Sequence, residues 1–371
     1  MKGKVFNRRE FIKVVGTTGL TTVLISWASG ARHATGKEKV GLVTFRQDWI
    51  QGGQHAPLWV AYDKAWFAES YLSVQILRGF GSSDTARRIG MGVEPIGQCD
   101  AGAVILTIGK GMKQKIVGTY NPIAPYCIAC PKDRNIKTPN DLEGKTLAAN
   151  PTDAAYLFWP AFVKKTGINS DTIKINTVSA EMLTRQLLSN SVDGVITYAT
   201  GSAAVAKSNN IDVSIIMYKD YGFDVYSNSI TVHTPWLEQK GNEELLRRFL
   251  DVTYKGFKFS MLNPVEANAI VKKYCPESYM GEQEERFRYE LLCAWAAHNI
   301  TEENRTFGLG YMSDKKMKLT NDMTYEYKGM GQKLPLDTIY TNKYLSLVKL
   351  SLQEWQKVNN LYQDYTKLLN L

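Results

Sequence analysis

Residues 40–71 constrain the fold more than any other stretch, because they read as a strand, a loop and a helix in succession. Val40 to Phe45 is an almost continuously apolar run, which is typical of a strand buried in a parallel sheet. Arg46 to His55 contains two glycines and is predicted to be a loop, and helical spacing of apolar residues begins near Pro57. Ligands of open α/β sheets bind beyond the carboxyl ends of the strands, so this loop is expected to border a binding crevice. Its candidate ligand-binding residues are Asp48, Trp49, Gln54 and His55.

Strand and helix patterns alternate through the first two thirds of the chain, and long helical patterns follow. This order predicts an α/β fold with two runs of βα units, the second inserted within the first. We expect two lobes joined by crossings near residues 123–132 and 220–231, with the ligand between them and closure by hinge motion. The predicted domains are residues 1–34 as a signal peptide, 38–128 with 226–371 as lobe 1, and 129–225 as lobe 2.

Two stretches resemble a known family. The text DWxxxxxHAPLxVAxxKxxF from Asp48 is similar to the first strand, loop and helix of the solute-binding proteins of nitrate/taurine/thiamine-pyrimidine type ABC importers. The text IKTPNDLEGK at residues 136–145 is a structural mark of the same proteins. The usual family text has Gly where this chain has Ala65. The resemblance covers about residues 40 to 345 and implies a two-lobed periplasmic-binding-protein type II fold with a ligand cleft between the lobes.

The same resemblance places further ligand contacts at strand ends and helix starts. Ser82, Ser83 and Asp84 lie in a Gly/Ser loop after the second predicted strand, where backbone N–H groups can hold a polar ligand edge. Residues 99–105 are similar to a "D-x-G" strand of the family, which would put Thr107 at its binding end. Residues 198–202 are predicted to form a loop. The remaining candidates follow from the helix start near residue 153, from that loop and from the return to the first lobe: Asp153, Tyr156, Tyr198, Tyr221, Asp224 and Tyr226.

The chemistry of these residues favours a planar, polar ring as ligand. Aromatic faces hold a flat ring by offset stacking, and a carboxylate such as Asp48 or Asp224 accepts a hydrogen bond from an exocyclic amine. Other interpretations stay open. Core packing would explain Trp49 and Tyr156, and a loop cap or a surface acid would explain Asp48. A helix-start cap would equally explain His55.

The sequence is compatible with three functions. The first is the substrate-binding component of an ABC importer, which captures a thiamine-type pyrimidine precursor and delivers it to an inner-membrane permease without catalysis or cofactor. The second is a carrier of a sulfonate or nitrate-like anion, which needs a positive site; the arginines near the loops are Arg46, Arg87 and Arg88. The third is the fungal enzyme of thiamine-pyrimidine synthesis, which shares the fold, consumes a histidine matching His55 and binds pyridoxal phosphate on a lysine. That enzyme has a cysteine-rich stretch where this chain has none, at residues 221–227, so the chain is predicted not to be an enzyme.

Net charge, histidine count and cysteine positions argue against a nucleic-acid-binding, metal-binding or redox protein. The formal net charge is +9, without a dense basic run interleaved with aromatic residues, so nucleic-acid binding is not expected. Four histidines suggest no metal cluster. Cys127 and Cys130 form a CxxC, but the surrounding text reads as a strand, in which residues three apart point to opposite faces. Buried thiols are therefore expected rather than a redox or metal site.

The first 34 residues match an export signal. Asn7 to Lys13 reads NRREFIK and precedes an apolar run from Val14 to Trp27, which fits a twin-arginine signal and its translocase. A basic amphipathic tail is the alternative. The prediction is a periplasmic protein that crosses the membrane folded.

Overall fold

The computed structural model describes residues 40–328 and 330–371, whose strands form two five-stranded sheets. In the first sheet the strand order is β2-β1-β3-β10-β4, and in the second it is β7-β6-β8-β5-β9. The strands are β1 (Gly41–Arg46), β2 (Leu72–Leu77), β3 (Ile96–Asp100), β4 (Gln114–Thr119), β5 (Tyr126–Pro131), β6 (Thr146–Ala149), β7 (Lys174–Thr177), β8 (Gly194–Tyr198), β9 (Val213–Met217) and β10 (Asn228–His233).

Helices cover both sheets and dominate the last third of the chain. They are α1 (Ala56–Asp63), α2 (Trp66–Glu69), α3 (Ser82–Gly90), α4 (Ala101–Gly109), α5 (Ala154–Leu157), α6 (Trp159–Thr166), α7 (Ala180–Leu188), α8 (Ala199–Asn209), α9 (Thr234–Leu237), α10 (Asn242–Leu262), α11 (Pro264–Tyr274), α12 (Glu282–Ala297), α13 (Glu302–Phe307), α14 (Asp314–Lys328), α15 (Leu336–Ile339) and α16 (Leu352–Leu368).

The two sheets have the same arrangement of parallel and antiparallel strands. In the first, β1 pairs in parallel with β2 and β3, and β10 runs antiparallel between β3 and β4. In the second, β6 pairs in parallel with β7 and β8, and β5 runs antiparallel between β8 and β9. All strands of the second sheet lie between β4 and β10 in sequence, so this sheet is inserted into the first, as the sequence predicts. The predicted lobe boundaries themselves stay a prediction.

The core follows from the apolar strand faces. Phe45 of β1 is fully buried and its ring lies 5.3 Å from that of Phe249 on α10. On β5, Cys127 packs with the larger hydrophobic cluster, while Cys130 packs with a second cluster that also contains Phe162. The two thiols therefore face opposite ways, as expected of a strand. Burial raises the pKa of the Cys130 thiol to about 12, which keeps it protonated and unreactive.

The structure corrects three sequence-based assignments. The strand predicted at residues 99–105 ends at Asp100, whose carboxylate accepts from the N–H groups of Gly102 and Ala103 and so starts helix α4. The loop predicted at residues 198–202 is instead the last residue of β8, Tyr198, followed by the first turn of α8. The apolar pattern of the last helix starts at Leu345 and predicts a helix from there, but the helix begins at Leu352 because Ser351 and Glu354 form a capping box.

The predicted signal segment, residues 1–34, lies outside the described residues. Within residues 40–328 and 330–371, no helix is both long enough and apolar enough to cross a membrane.

Candidate functional site

A cavity of about 650 Å³ has walls from both sheets and their helices. The loop after β1, the first turn of α3 and the ends of β3 and β10 form one side. The opposite side comes from the start of α5, one face of α7, and the junction of β8 with α8. A face of α12 and the loop before it complete the wall. The cavity therefore lies beyond the carboxyl ends of parallel strands, where open α/β sheets bind ligands.

Asp48 is the polar centre of the first side. Its side chain is only 9% exposed, and its Oδ1 lies 2.9 Å from Nε2 of His55. Asn228 Nδ2 donates to the other carboxylate oxygen at 2.6 Å, and Gln98 Nε2 reaches Oδ1 at 3.4 Å. A carboxylate oxygen can only accept, so His55 Nε2 carries the hydrogen. This network fixes the carboxylate in one orientation at the cavity wall.

A second polar group joins the two sheets across the cavity. The hydroxyl of Tyr198, at the end of β8, donates to Oδ1 of Asn228 at 3.2 Å and lies 3.1 Å from Oγ of Ser227. Asn228 thus bridges Asp48 and Tyr198. A residue at the first position of β10 therefore orients side chains from both halves of the wall.

Two further carboxyl groups lie near Asp48. Asp153 caps α5 by accepting from the Ala155 N–H at 2.8 Å, and burial raises its pKa to about 7, reinforced by the negative charges of Asp48 and Asp100. Burial likewise raises the pKa of Asp100 to about 6, against hydrogen bonds from Tyr126 and the α4 N-terminus. Asp48 and Asp153 thus give the cavity wall carboxyl oxygens that can accept hydrogen bonds from the N–H groups of a ligand.

The rest of the wall is aromatic and aliphatic. Trp49 is partly buried and packs against the larger hydrophobic cluster while lining the cavity. Phe287, Leu291 and Trp295 line it from α12, at positions that share one helix face. Leu187 of α7 adds an aliphatic surface opposite. Such rings and side chains offer flat apolar surface to a planar ligand.

At one edge of the cavity, the segment around Gly81 packs closely against the segment around Thr152. Gly81 precedes α3 with φ of 113°, and a Cβ there would lie 2.1 Å from Oγ1 of Thr152. Thr152 Oγ1 also donates to the Phe80 carbonyl at 2.7 Å. Only glycine combines this φ with this approach, so the sequence GFG permits the two sides to touch.

Six predicted residues line the cavity together. Asp48, Trp49 and Gln54 come from the first loop, and Ser82 from the start of α3. The other two, at the α5 N-cap and the end of β8, are Asp153 and Tyr198.

Four predicted residues lie near the wall without forming it. His55 is fully buried behind Asp48. Ser83 donates its backbone N–H to the Thr152 carbonyl at 3.4 Å, and Asp84 pairs with Arg87 at 2.9 Å. Tyr156 packs beside the second hydrophobic cluster.

The remaining four predicted residues lie elsewhere. Thr107 is on α4 rather than at a strand end, and its hydroxyl donates to the Val104 carbonyl at 2.8 Å. Tyr221 packs edge-on against Phe162 with centroids 5.5 Å apart. The last two are held by partners on α13 and α14: Asp224 by Lys316 at 2.8 Å, and Tyr226 by Glu303 at 2.6 Å.

Sequence reasoning missed a large part of the wall. Asn228, Gln98 and Asn121 are buried amides on or beside strands of the first sheet, where an amide among apolar residues was the available signal. Arg288 and Trp295 lie on α12, where the sequence shows only the periodicity of a helix.

The three arginines near the predicted loops form ion pairs outside the cavity. Arg46 and Arg88 both pair with Glu94 at 2.6 Å, and Arg87 pairs with Asp84. None of the three is in the cavity wall.

The described residues do not fit metal or pyridoxal phosphate chemistry. Among the described residues, no cluster of three His, Cys, Asp or Glu side chains could hold a metal ion. The described cavity wall contains no lysine, so it does not fit a group that needs a Schiff base there.

Comparison with known proteins agrees with this architecture. A family model described as NMT1/THI5 like matches residues 53–267. The riboflavin-binding protein RibY of Chloroflexus aurantiacus is 21% identical over 309 residues, covering 82% of this chain and 86% of that protein. A formylaminopyrimidine-binding protein of Halalkalibacterium halodurans is 24% identical over 250 residues, covering 67% of this chain and 75% of that protein.

A solved structure shows the same fold. The periplasmic aliphatic sulphonate binding protein SsuA of Escherichia coli superposes with a TM-score of 0.61 at 12% identity, covering 84% of this chain and 94% of that chain. The predicted two-lobed α/β binding-protein fold is thereby confirmed.

Proposed function

This chain belongs to the NMT1/THI5-like family, and we propose that it is the substrate-binding component of an ABC importer. It captures a small planar nitrogen heterocycle of the thiamine-pyrimidine type in the periplasm and delivers it to a membrane permease. The two curated relatives, whose names describe binding proteins for riboflavin and formylaminopyrimidine, support a heterocyclic ligand.

The observation that carries the proposal is the buried carboxylate of Asp48 at the cavity wall. His55, Asn228 and Gln98 hold it in place, so it is oriented before a ligand arrives. A ligand N–H that donates to such a charged acceptor gains about 1.5–3 kcal/mol. An exocyclic amine beside a ring nitrogen is a group of this kind.

Two glutamine side chains of the cavity wall also support a nitrogen heterocycle as ligand. The Oε1 atoms of Gln54 and Gln98 have no donor among the described residues, although both atoms are buried. Both side chains line the same cavity as Asp48 and Trp49, so an aminopyrimidine ring would meet amide and carboxyl groups and an aromatic side chain there.

The same wall argues against an enzyme of pyrimidine synthesis. His55 lies behind Asp48 with no exposure, so it does not face the cavity as a reactant would. Capture without bond making or breaking is therefore proposed, with no cofactor.

Export through the twin-arginine route is part of the proposal. The NRREFIK text and the apolar run after it support a periplasmic location, reached by the folded protein.

A thermal-melt panel tests the proposal. The purified protein is heated with aminopyrimidines, riboflavin, taurine, an alkyl sulfonate or nitrate. A ligand at about 100 times its Kd adds about 2.7 kcal/mol to the free energy of unfolding, which raises Tm by roughly a few degrees. We expect aminopyrimidines to raise Tm. A shift with sulfonate or nitrate alone would replace the heterocycle by an anion, and a visible aldimine absorbance after incubation with pyridoxal phosphate would favour the enzyme.

A further inference from the structure

The two chain segments that connect the sheets run side by side. One links β4 to β5, and the other links β9 to β10. Backbone hydrogen bonds join them: Ala124 donates to the Val225 carbonyl at 2.9 Å, and Ser227 donates to the Asn121 carbonyl at 3.1 Å. Within residues 40–328 and 330–371, only these two segments lead from a strand of one sheet to a strand of the other. A rotation of one sheet against the other would therefore turn about this pair of segments.

Asn228 lies where these segments meet the first sheet. It is the first residue of β10, and its carbonyl oxygen accepts the N–H groups of Tyr120 at 2.7 Å and Asn121 at 2.8 Å. The residue is 5% exposed and lines the cavity. Its backbone is thus fixed on the first sheet, and its side chain is the part that reaches toward the second.

The side-chain amide of Asn228 has one favourable orientation. Its Nδ2 donates to Oδ2 of Asp48 at 2.6 Å, and a carboxylate can only accept. Its Oδ1 therefore faces the hydroxyl of Tyr198, which donates to it at 3.2 Å. An amide turned over would set its oxygen against the carboxylate and lose the charge-assisted bond. Asp48 thus determines which amide atom Tyr198 meets.

These contacts lead from the ligand site to the second sheet. Asp48 follows β1 of the first sheet, whereas Tyr198 is the last residue of β8 in the second. The Tyr198–Asn228 bond is longer than the usual 2.5–3.0 Å or so of an O–H···O bond, so a small opening rotation would break it. It would shorten only when the amide is held firmly in the orientation that Asp48 imposes.

We propose that Asn228 is a positioning residue that couples ligand binding at Asp48 to closure of the second sheet over the cavity, through the hydroxyl of Tyr198. A ligand N–H that fixes the Asp48 carboxylate also fixes the Asn228 amide, and the amide then holds Tyr198 in the closed arrangement. The inference rests on the proposed function and deepens it, because it names the residue through which an occupied site favours closure.

A double-mutant cycle measures the coupling by calorimetric titration with an aminopyrimidine. Tyr198→Phe removes only the hydroxyl, and its Kd should be about threefold to tenfold higher than that of the wild type, as the loss of one neutral hydrogen bond gives. Asn228→Ala should raise the Kd at least about tenfold, since Asp48 loses a donor as well. The double variant should bind like Asn228→Ala alone, because the hydroxyl has then already lost its acceptor. Effects that multiply in the double variant would overturn the coupling.

Small-angle X-ray scattering gives a second readout, which a purely local contact would not change. A saturating aminopyrimidine should reduce the radius of gyration of the wild type, and it should reduce that of Tyr198→Phe less. No contraction of the wild type, or an equal contraction of Tyr198→Phe, would overturn the coupling.

Tyr221→Phe is the matched control, because it removes a tyrosine hydroxyl from a residue that packs on Phe162 away from the cavity wall. It should bind and contract like the wild type. If Asn228→Ala melts too low to be titrated, Asn228→Ser takes its place in the cycle, since its short side chain does not reach both partners. A wild type that binds no aminopyrimidine would refute the proposed function and the coupling with it. Equal binding by wild type and Tyr198→Phe would refute the coupling alone.

Discussion

Asp48 shows how one residue becomes a binding group. A buried carboxylate is costly unless it is paired and hydrogen-bonded, and here an imidazole and two amides share that task. All of these partners are donors that leave the cavity-facing side of the carboxylate for a ligand. These hydrogen bonds offset only part of the cost of burying the carboxylate. A ligand N–H that donates to the remaining lone pairs of the Asp48 oxygens would offset the rest.

Asp153 gives a prediction at the same scale. Burial raises its pKa from the ordinary 3.8 to about 7, so the folded chain binds the proton more tightly than the unfolded chain. Its stabilising contribution is complete below pH 4 and is lost as the pH rises to about 7. Asp153→Asn keeps the oxygen that caps α5 but cannot ionise. The free energy of unfolding of Asp153→Asn minus that of the wild type should therefore increase from pH 4 to 7 and level off above.

Each pKa unit corresponds to about 1.4 kcal/mol, which sets an upper limit of about 4 kcal/mol for this difference. Urea unfolding at a series of pH values measures it. A flat difference for Asp153→Asn would show that its carboxyl titrates normally in the folded protein.

Residues of the site were predictable from sequence where a loop follows a recognisable strand. Asp48, Trp49 and Gln54 were found in this way. Thr107 was misplaced because an apolar run of five to seven residues fits a strand and a buried helix equally well. Arg288 lies far along the chain on a helix whose periodicity indicates packing alone, so only the tertiary structure brings it to the cavity.

At the scale of elements, glycine determines how closely α12 packs on the first loop. In Gly53→Ala the new Cβ would meet the Arg288 carbonyl oxygen at 2.1 Å and the Leu292 Cβ at 2.6 Å. The backbone of α12 cannot rotate away, so the helix has to shift. We expect a loss of about 1–3 kcal/mol in the free energy of unfolding and weaker binding of aminopyrimidine.

Thermal melts and titrations of Gly53→Ala and Gly331→Ala measure both effects. Gly331 has nothing within 4 Å of its would-be Cβ, so it controls for the loss of glycine flexibility. If both variants melt like the wild type, the close packing of α12 on the loop is not needed.

Another contact between elements joins helix α12 to helix α8. Arg286 on α12 donates to the Lys207 carbonyl at 2.8 Å and to Asn210 Oδ1 at 3.0 Å, at the carboxyl end of α8. A cation at a helix C-terminus is favourable, and this one joins α12 to α8. Arg286 is not in the cavity wall.

Arg286 does not line the cavity, but Arg286→Ala removes a contact that holds α12 against α8. We therefore expect ligand binding to weaken about twofold to tenfold, because the variant disfavours the arrangement of these two helices that forms the cavity. Calorimetric titration measures the change. Arg247→Ala is the control, because Arg247 also donates to a backbone carbonyl, that of Lys343, but at the surface and away from the cavity. Equal affinities for wild type and Arg286→Ala would show that the contact does not contribute to closure.

At the scale of the whole molecule, the inserted α/β order was predictable because strand and helix periodicities alternate so regularly. The start of α16 and the helical turn after β8 were not predictable. The Ser351 capping box and the direct passage of β8 into α8 set these boundaries without changing hydrophobic periodicity. Burial of β5 on both faces explains why its CxxC has no exposed thiol.

Export belongs to this scale as well. The double substitution Arg8→Lys with Arg9→Lys keeps the charge of the leader but removes the arginine pair. We expect the variant to stay in the cytoplasm of a bacterial host, while Arg32→Lys is exported like the wild type. Cell fractionation and immunoblotting measure the distribution. Unchanged export of the double variant would exclude the twin-arginine route.

The central claim is that a preoriented Asp48 carboxylate recognises the N–H edge of a planar heterocycle. Calorimetric titration of the wild type and of Asp48→Asn with an aminopyrimidine tests it most directly, with Asp84→Asn as a control. The account predicts one ligand per chain for the wild type, a Kd at least about tenfold higher for Asp48→Asn, and no change for Asp84→Asn. Equal affinity of Asp48→Asn and wild type, or no binding of any aminopyrimidine to the wild type, would contradict it.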